Sequence, residues 1–330
     1  MKKKVLVCGA SGFMGQNIIE QLIDNYDVYG VHYSTNIETP IASKLKTLYT
    51  CDLTTQTGIN HIFKNENFDI VIQAAATTSG AKDIIERPYI HVTDNVIMNS
   101  LVLRACFDYN VKHVIFLSCG VMYQPGNEPR KETDFNGNDE LFPAYFGGGW
   151  MKIYIEKQME FYSRLGKTKH TVIRHSNTYG PYDKYDYEYS HVFGATIRKV
   201  MDASDTIEVW GTGEETSRDL VYVKDITELI DSVITNQSTP FELVNAGTGK
   251  AFTVKELVEK IIHYSGKNLK IKYNSNKPVI PTKLAFDSTL AKEKFGWYAK
   301  TDLDSGIKKT LDWYKDWYKK YYMNGGKNES

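Results

Sequence analysis

Short runs of β-branched and aliphatic residues alternate, through the first half of the chain, with longer stretches in which apolar side chains recur every three to four residues. The short runs are typical of buried strands and the longer stretches of amphipathic helices. The pattern predicts strands over residues 5–8, 28–32, 48–51, 70–74, 114–118 and 171–174, and helices over residues 14–23, 94–108 and 149–165. Because alternating strands and helices build βαβ units, we predict an α/β protein with a Rossmann-type, doubly wound parallel sheet.

The alternation ends near residue 180, and the rest of the chain is mixed. The sequence there predicts a polar aromatic loop over 182–189, a turn over 245–249, helices over 253–264 and 304–318, and a frayed tail over 324–330. We therefore predict a large domain of residues 1–175, to which 211–245 returns, and a smaller mixed α/β C-terminal domain of residues 176–210 and 246–330.

Composition excludes several classes of protein. The chain has 330 residues, and its 40 Lys and Arg balance 40 Asp and Glu, so no long-range positive field steers it onto nucleic acid or an anionic membrane. No apolar run approaches the roughly 18 residues of a transmembrane helix, and the N-terminal run is too short for a signal peptide. Its four cysteines show no CxxC pair and no metal-ligand spacing. We expect a cytoplasmic protein with reduced thiols and no metal, whose partner is a small molecule and neither nucleic acid nor membrane.

A glycine-rich turn, Gly-Ala-Ser-Gly-Phe-Met-Gly over residues 9–15, joins the first predicted strand to the first predicted helix. Glycines permit a tight turn and let the backbone approach a pyrophosphate, which then rests on the N–H groups at the start of the helix. We therefore predict that residues 1–175 form a dinucleotide-binding domain. The candidate cofactor-binding residues of the turn are Gly9, Ser11, Gly12, Phe13, Met14 and Gly15.

The end of the second strand bears on the choice of cofactor. An acid at this place binds the ribose 2′-OH of NAD and repels the 2′-phosphate of NADP. Residues 28–34 include His32 but contain neither an acid nor an arginine, so NADP is permitted without being strongly attracted. We favour NADP(H) over NAD(H) by a small margin and count His32 among the candidate cofactor-binding residues.

Further blocks follow in order along nearly the whole chain. Residues 174–181 match the motif RxxNxYGP, and residues 211–223 contain Gly-Thr-Gly followed by Arg218 and Asp219. With the GxxGxxG spacing of the turn, these blocks resemble the extended short-chain dehydrogenase/reductase family, in particular its nucleotide-sugar branch. The resemblance implies an NAD(P)-dependent oxidoreductase or epimerase whose arginine holds a diphosphate. The further cofactor-binding residues that it implies are Asp52, Leu53, Ala74, Ala75, Ala76, Asn95 and Lys152.

Within that branch, the C-terminal domain resembles the GDP-sugar-binding half of the GDP-L-fucose synthases. A GDP-linked sugar is then the implied substrate, and a homodimer formed through helices 94–108 and 149–165 is the implied assembly. The implied substrate-binding residues are Asn177, His191, Val192, Lys199, Trp210, Arg218 and Lys283. This set is chemically reasonable, because the basic side chains suit a diphosphate and the tryptophan can stack on the base or form a wall beside it.

The catalytic motif of the family is Tyr-x-x-x-Lys, and this chain keeps only its lysine. Lys152 takes that place, while Gly148 stands where the tyrosine belongs. Tyr145 lies about 10 Å before the lysine along a helix axis, where the motif needs about 6 Å. It can replace the tyrosine only if residues 146–149 bend back, which three consecutive glycines allow.

A second departure lies after the fifth predicted strand. Cys119 stands at the family's catalytic Ser/Thr position, and a thiol is a weaker hydrogen-bond donor than a hydroxyl. Val121 replaces the cysteine that the fucose synthases use for epimerisation, whereas His191 matches their partner histidine. Hydride transfer at the sugar C4 then leaves the proton to Tyr145, Cys119, His191 or water. The candidate catalytic residues are Lys152, Cys119, His191 and Tyr145.

Three functions are compatible with this sequence. The leading hypothesis is a 4-keto reductase that acts at C4 of a GDP-linked deoxyhexose or heptose in the biosynthesis of surface polysaccharide sugars. The second is a GDP-sugar 4-dehydrogenase or epimerase with a tightly bound cofactor. The third, from a different class, is a catalytically silent nucleotide-sugar-binding protein that keeps the fold.

Overall fold

A seven-stranded parallel sheet forms the centre of the larger part of the molecule. The computed structural model describes residues 2–34, 41–78, 80–187 and 189–321. The strands are β1 (Lys4–Cys8), β2 (Asp27–His32), β3 (Thr47–Thr50), β4 (Ile70–Gln73), β5 (His113–Ser118), β6 (Lys169–His175), β7 (Asn177–Tyr179), β8 (Thr206–Trp210), β9 (Ser217–Tyr222), β10 (Phe241–Ala246), β11 (Ala251–Thr253), β12 (Lys270–Asn274) and β13 (Lys283–Leu284). The large sheet has the order β10-β6-β5-β4-β1-β2-β3 with every pair parallel, so the predicted doubly wound α/β fold is confirmed.

Helices cover both faces of this sheet. They are α1 (Phe13–Leu22), α2 (Gln56–Phe63), α3 (Ala81–Glu86), α4 (Thr93–Asp108), α5 (Phe146–Ser163), α6 (Val192–Asp202), α7 (Val223–Asn236), α8 (Val254–Ser265), α9 (Thr289–Phe295) and α10 (Leu303–Tyr321). One face carries α1 and α7, which bury Ile18 and Ile226, and the other carries α2, α4 and α5, which bury Ile59 and Ile155. Because both faces are covered, the strands are continuous apolar runs.

The strand order reverses at β1, which lies between β2 and β4. The chain moves outward through β2 and β3 on one side of β1, and through β4, β5 and β6 on the other. In sheets of this kind a ligand binds in the crevice beyond the carboxyl ends of the strands next to the reversal. The ends of these strands therefore locate the candidate site.

A smaller mixed α/β region lies at the C-terminal side, as predicted. Strands β7, β9, β11 and β13 form one sheet and β8 pairs with β12, while α6, α8 and α10 supply a separate core. That core contains Phe193 and Ile197 of α6, Leu257 and Ile261 of α8, and Ile307 of α10.

Two expectations about the chain's organisation need correction. Within residues 211–245, β9 belongs to the smaller sheet, so the return to the large sheet begins with α7 and β10 rather than at residue 211. The helix expected over 149–165 begins at Phe146, which makes all three glycines helical. The described residues of the loop at 182–189 form neither strand nor helix, and the tail at 324–330 lies outside the described residues.

Candidate functional site

The glycine turn after β1 packs tightly against the start of α1. Gly9 has a φ of +80°, which glycine adopts without strain. A Cβ at Gly15 would lie 2.0 Å from the carbonyl oxygen of Gly9, so only glycine allows the helix to approach this closely. Helix α1 begins with Phe13 and Met14, directly after Ser11 and Gly12, and its first turn contains no acid. The positive end of the helix dipole is therefore available to a pyrophosphate.

The loop that follows β4 lies against this turn. A Cβ at Gly9 would come within 2.7 Å of Ala75, which places the predicted segment of Ala74, Ala75 and Ala76 beside the glycines. The glycine turn follows the carboxyl end of β1, and the alanine segment follows the carboxyl end of the neighbouring strand β4. The structure thus brings the two main predicted cofactor segments together.

Asn95 of α4 fixes the shape of that loop. Its amide oxygen accepts a hydrogen bond from the Thr77 N–H at 3.0 Å, and its amide nitrogen donates to the carbonyl oxygens of Thr77 and His91 at 2.9 Å each. These bonds occupy both N–H donors of the Asn95 amide and one acceptor site of its oxygen. Asn95 therefore holds the loop in place, and its direct contact with the cofactor stays a prediction.

The remaining predicted cofactor residues lie at the ends of β2 and β3. His32 is buried, with Nε2 2.8 Å from the hydroxyl oxygen of Thr50. Leu53 is buried, and one carboxylate oxygen of Asp52 accepts hydrogen bonds from the backbone and hydroxyl of Thr54 at 2.8 and 2.6 Å. Neighbouring parallel strands end at the same edge, so these residues share the edge of the glycine turn.

A buried amide at this edge lacks a partner. Gln73 ends β4, in register with Cys8 of β1 and Phe116 of β5. Within the described parts of the chain, neither polar atom of its side chain makes a hydrogen bond, although both are buried. An unsatisfied buried amide costs about 1–3 kcal/mol, which a polar ligand in the crevice would offset. This orphaned group and the glycine turn together fit a dinucleotide cofactor.

A cleft of about 180 Å³ extends from the same edge between α6, α8 and β8. Its walls contain Tyr145 and six of the seven predicted substrate-binding residues. The six are Asn177, His191, Val192, Lys199, Trp210 and Arg218. The seventh, Lys283, is exposed in β13 and does not line the cleft, and its carbonyl oxygen accepts a hydrogen bond from the Gly126 N–H at 2.9 Å.

Arg218 is held in one direction by backbone carbonyl groups. Its guanidinium donates to the carbonyl oxygens of Ser217 at 2.9 Å and Ile280 at 3.2 Å, and also to that of Thr282. Carbonyl groups orient the side chain without neutralising it, and no carboxylate pairs with it among the residues that the structure describes. The resulting fixed positive charge suits a diphosphate.

Tyr145 lies beside Arg218 and not beside Lys152. The Tyr145 hydroxyl is 3.4 Å from the Arg218 guanidinium, and α5 continues regularly from Phe146 onward. The bend that would let Tyr145 replace the missing tyrosine therefore does not form, and we assign Tyr145 to the wall of the cleft. At Gly148 the place of the tyrosine side chain is open, since a Cβ there meets no atom within 4 Å.

Lys152 stands one helical turn after that open space. Its Nζ donates to the carbonyl oxygen of Leu117 at 3.0 Å and lies 4.6 Å from the centre of the Phe116 ring. Burial lowers the pKa of Lys152, while the nearby Cys119 and Glu156 oppose this shift. Cys119 is half-buried directly after β5, within electrostatic reach of the lysine.

Two histidines lie near the lysine and the cleft, since His191 lines the cleft and His175 is within electrostatic reach of Lys152. Burial of the ring lowers the pKa of His191, as do the neighbouring Lys184, His91 and Arg218, although the residue as a whole is exposed. Burial, together with the nearby Lys152 and His191, lowers the pKa of His175 to about 4, although the hydrogen bond to the Ser176 carbonyl opposes this shift. Both imidazoles are therefore neutral at neutral pH. The Nδ1 of His175 lies 2.9 Å from the carbonyl oxygen of Ser176, which as an acceptor requires the proton on Nδ1.

A buried ion pair fixes α5, and with it Lys152, to the sheet. The Arg174 guanidinium contacts both carboxylate oxygens of Glu156 at 2.6 and 3.1 Å, and the Ser118 hydroxyl donates to the same carboxylate at 2.6 Å. Both charged side chains are only 4% exposed. Arg174 also donates to the Tyr123 hydroxyl at 2.8 Å. The ends of β5 and β6 and helix α5 thus share one buried network.

Two residues of this region were missed by the sequence reasoning. His175 occupies a variable position of the RxxNxYGP motif, and a motif match carries no information about such a position. Glu208 lines the cleft from β8, where it lies on the same face as Trp210 because strand side chains alternate. The strand alternation was the one signal that pointed to Glu208.

Two further kinds of site are not found in the described ranges. No three histidines, cysteines or acids there are grouped so that they could hold a metal ion. No helix of the described chain has both the length and the apolar composition needed to cross a bilayer.

Comparison with known proteins finds relatives that match nearly the whole chain. The GDP-L-colitose synthase of Yersinia pseudotuberculosis is 29% identical over 320 residues, which cover 94% of this chain and 97% of the relative. The GDP-L-fucose synthase of Escherichia coli K12 is 25% identical over 326 residues, which cover 95% and 97%. The crystal structure of a UDP-glucose 4-epimerase from Thermotoga maritima with UDP-glucose has a TM-score of 0.83 at 26% identity and covers 95% of this chain and 99% of that protein.

The model of the NAD dependent epimerase/dehydratase family matches residues 5–247 of the chain. This match confirms the expected resemblance to the extended short-chain dehydrogenase/reductases, and the relatives confirm its nucleotide-sugar branch. The chain therefore belongs to the NAD dependent epimerase/dehydratase family and is an NAD(P)-dependent oxidoreductase or epimerase of nucleotide sugars.

Proposed function

We propose that the protein reduces the 4-keto group of a GDP-linked deoxyhexose or heptose. The observation that carries this proposal is the cleft, which joins Arg218 to Asn177 and His191. His175 lies within electrostatic reach of both His191 and Lys152 and so connects the cleft with the lysine. A diphosphate on Arg218 places the sugar toward Asn177 and His191 and the cofactor crevice. The two GDP-sugar synthases that resemble the chain over nearly its whole length support a GDP-linked substrate.

The bound nicotinamide cofactor supplies the hydride, and the chain must supply one proton to the sugar O4. We assign this proton to Lys152, because burial lowers the pKa of its ammonium toward the range in which it can act as an acid. Its hydrogen bond to the Leu117 carbonyl holds the ammonium at the ends of β5 and β6. The neutral His175 and the Cys119 thiol lie beside it and add no competing positive charge.

The assignment predicts a pH dependence with a defined sign. Reduction requires the protonated form of Lys152, so turnover falls as the pH rises through the lowered pKa of this residue. The descending limb therefore begins below the ordinary lysine value of 10.5.

The test is to mix the protein with NADPH and a GDP-4-keto-6-deoxyhexose and to follow absorbance at 340 nm. We expect NADPH oxidation in the wild type and its loss in Lys152→Met, while calorimetry shows unchanged GDP binding. Lys157→Met is the matched control, since this lysine lies on the same helix but is exposed and pairs with Glu160. Turnover that survives in Lys152→Met would refute the assigned proton donor. GDP binding without any turnover in the wild type would favour the hypothesis of a catalytically silent nucleotide-sugar-binding protein.

A second candidate is a 4-dehydrogenase or epimerase that keeps its cofactor. The close structural match to a UDP-glucose 4-epimerase supports it. An absorbance scan of freshly purified protein distinguishes the two, because retained reduced cofactor absorbs at 340 nm. Reduction of added NAD by a GDP-sugar would favour the dehydrogenase.

We also propose NADP(H) as the preferred cofactor, a homodimer as the assembly, and polysaccharide sugar synthesis in the cytosol as the setting. The absence of an acid from residues 28–34 supports the first. Exposed apolar side chains on α4 and α5 support the second, since Ile97, Tyr154 and Phe161 are 40%, 50% and 58% exposed. The free thiols of all four cysteines support a reducing compartment.

A further inference from the structure

We infer that Glu208 reads the base of the bound nucleotide and selects guanine over uracil. This inference rests on the proposed function, because it requires a nucleoside diphosphate sugar in the cleft. It adds a residue and a mechanism for the choice between two nucleotides that related enzymes use.

The position of Glu208 follows from the order of groups along the cleft. The sugar lies toward Asn177 and His191, and the diphosphate lies on Arg218. What remains for the base is the part of the cleft against β8, where Glu208 and Trp210 form the wall. A second cavity of about 410 Å³ adjoins this part and is also lined by Glu208 and Trp210, so the wall leaves room for a purine.

The Glu208 carboxylate is fixed from one side and open on the other. The backbone N–H of Asn276 donates to the amide oxygen of Asn274 at 3.1 Å, which sets the orientation of that amide. The amide nitrogen of Asn274 then donates to Oε2 of Glu208 at 3.0 Å. Oε1 makes no hydrogen bond to any residue in the described part of the chain. A rigid carboxylate with an open oxygen is a preorganised acceptor.

Two lysines compensate the negative charge at this end of the cleft. The Lys199 ammonium lies 5.3 Å from the centre of the Trp210 ring and donates to the backbone carbonyl oxygen of Glu208 at 3.1 Å. The Lys277 ammonium lies 5.5 Å from the same ring. These cations reduce the repulsion between the carboxylate and an incoming diphosphate. They do not form an ion pair with the Glu208 side chain, so its open oxygen stays available to a base.

The chemistry of the bases decides what this acceptor selects. Guanine presents two adjacent donors, N1–H and the N2 amino group, which match the two oxygens of a carboxylate. Uracil presents one donor between two carbonyl oxygens, and these oxygens repel a carboxylate. Adenine places a ring acceptor where guanine has N1–H. Glu208 therefore favours guanine and disfavours the other two bases.

The experiment measures dissociation constants of GDP, IDP and UDP by calorimetry on the full chain, in the wild type and in Glu208→Gln. Hypoxanthine lacks only the N2 amino group, so we expect IDP to bind with an affinity between those of GDP and UDP. We expect Glu208→Gln to weaken the binding of GDP by about 10- to 100-fold and to leave the binding of UDP unchanged or tighter. Asn274→Ala removes the group that orients the carboxylate and should weaken GDP to a smaller extent.

Asp205→Asn is the matched control, because it removes an acid of the same chain segment just before β8, outside the walls of both cavities. The inference is refuted if Glu208→Gln leaves the ratio of GDP to UDP affinity unchanged, and the proposed function then survives. If neither GDP nor UDP binds, the proposed function fails and the inference fails with it. The same conclusion follows if Arg218→Ala does not weaken the binding of whichever nucleotide the wild type binds.

Discussion

Restoring a tyrosine at Gly148 tests whether the absent phenol limits the reaction. The substitution fits the structure, because a Cβ at Gly148 meets no atom within 4 Å, whereas one at the next residue, Gly149, would lie 2.7 Å from a Leu141 methyl group. From Gly148 to Lys152 the helix rises about 6 Å, so the new side chain shares a face with the lysine. A phenol there can donate to the sugar O4 while the lysine lowers its pKa.

The expected magnitudes come from helix propensity and from acid catalysis. Gly148→Ala should stabilise the protein by about 0.5–1 kcal/mol, since it removes a helical glycine without creating a contact. A positioned general acid contributes about 10²- to 10⁴-fold. Because Lys152 already supplies part of this effect, we expect Gly148→Tyr to raise kcat at least about tenfold over Gly148→Phe, its matched control.

The assay is NADPH oxidation at 340 nm with a GDP-4-keto sugar, with urea unfolding of each variant as the measure of stability. Equal kcat values for the tyrosine and phenylalanine variants would refute the reasoning, because the hydroxyl would then have no catalytic effect. Destabilisation by Gly148→Ala would refute the structural premise of open space.

Three further predictions concern stability and assembly. Glu156→Gln should destabilise the fold by about 3–5 kcal/mol in urea unfolding, because it leaves the Arg174 charge buried without its ion-pair partner. As a control, breaking the exposed ion pair between Arg104 and Asp108 in α4 should cost at most about 1 kcal/mol. Burial lowers the pKa of both His113 and His170 from 6.5 to about 4. Each histidine therefore contributes up to about 3 kcal/mol to the free energy of unfolding, which is present above pH 6.5 and is lost as the pH falls toward 4. Urea unfolding at pH 7.5 and at pH 5 checks this, and equal stabilities at the two values would contradict it. Phe161→Glu should shift the proposed dimer to monomer in analytical ultracentrifugation at micromolar concentration, and an unchanged sedimentation coefficient would argue against α5 as the interface.

The sequence was sufficient for the features that depend on local pattern. Six of the seven strands of the large sheet agree with prediction to within two residues at each end, because buried parallel strands are short apolar runs between clear turns. The seventh, β10, was not predicted, and its last two residues, Asn245 and Ala246, were expected to begin a turn. The glycine turn was predictable for a related reason, since its spacing reflects backbone contacts that no other residue type allows. Six of the seven predicted substrate residues line one cleft because the motifs that carry them record a shared geometry.

The errors arise where tertiary packing decides. The three glycines allowed residues 146–149 to bend back, but the first turn of α5 packs beside Val92 and Leu141 and stays helical. The predicted cofactor contact of Asn95 stays a prediction, and what the sequence did not indicate is that its side chain also holds the loop after β4. Glu208 escaped notice because its orientation depends on Asn274, which is far away in sequence and adjacent only after β8 and β12 have paired.

The three glycines at the start of α5 also affect motion. Each lowers the stability of a helical turn by about 0.5–1 kcal/mol relative to alanine, and none of the three brings a side chain to the core. The first turn can therefore unwind locally while the buried Ile155 and Met159 hold the rest of the helix on the sheet. The residue type that removes the phenol thus also lowers the helical stability of the turn that precedes Lys152.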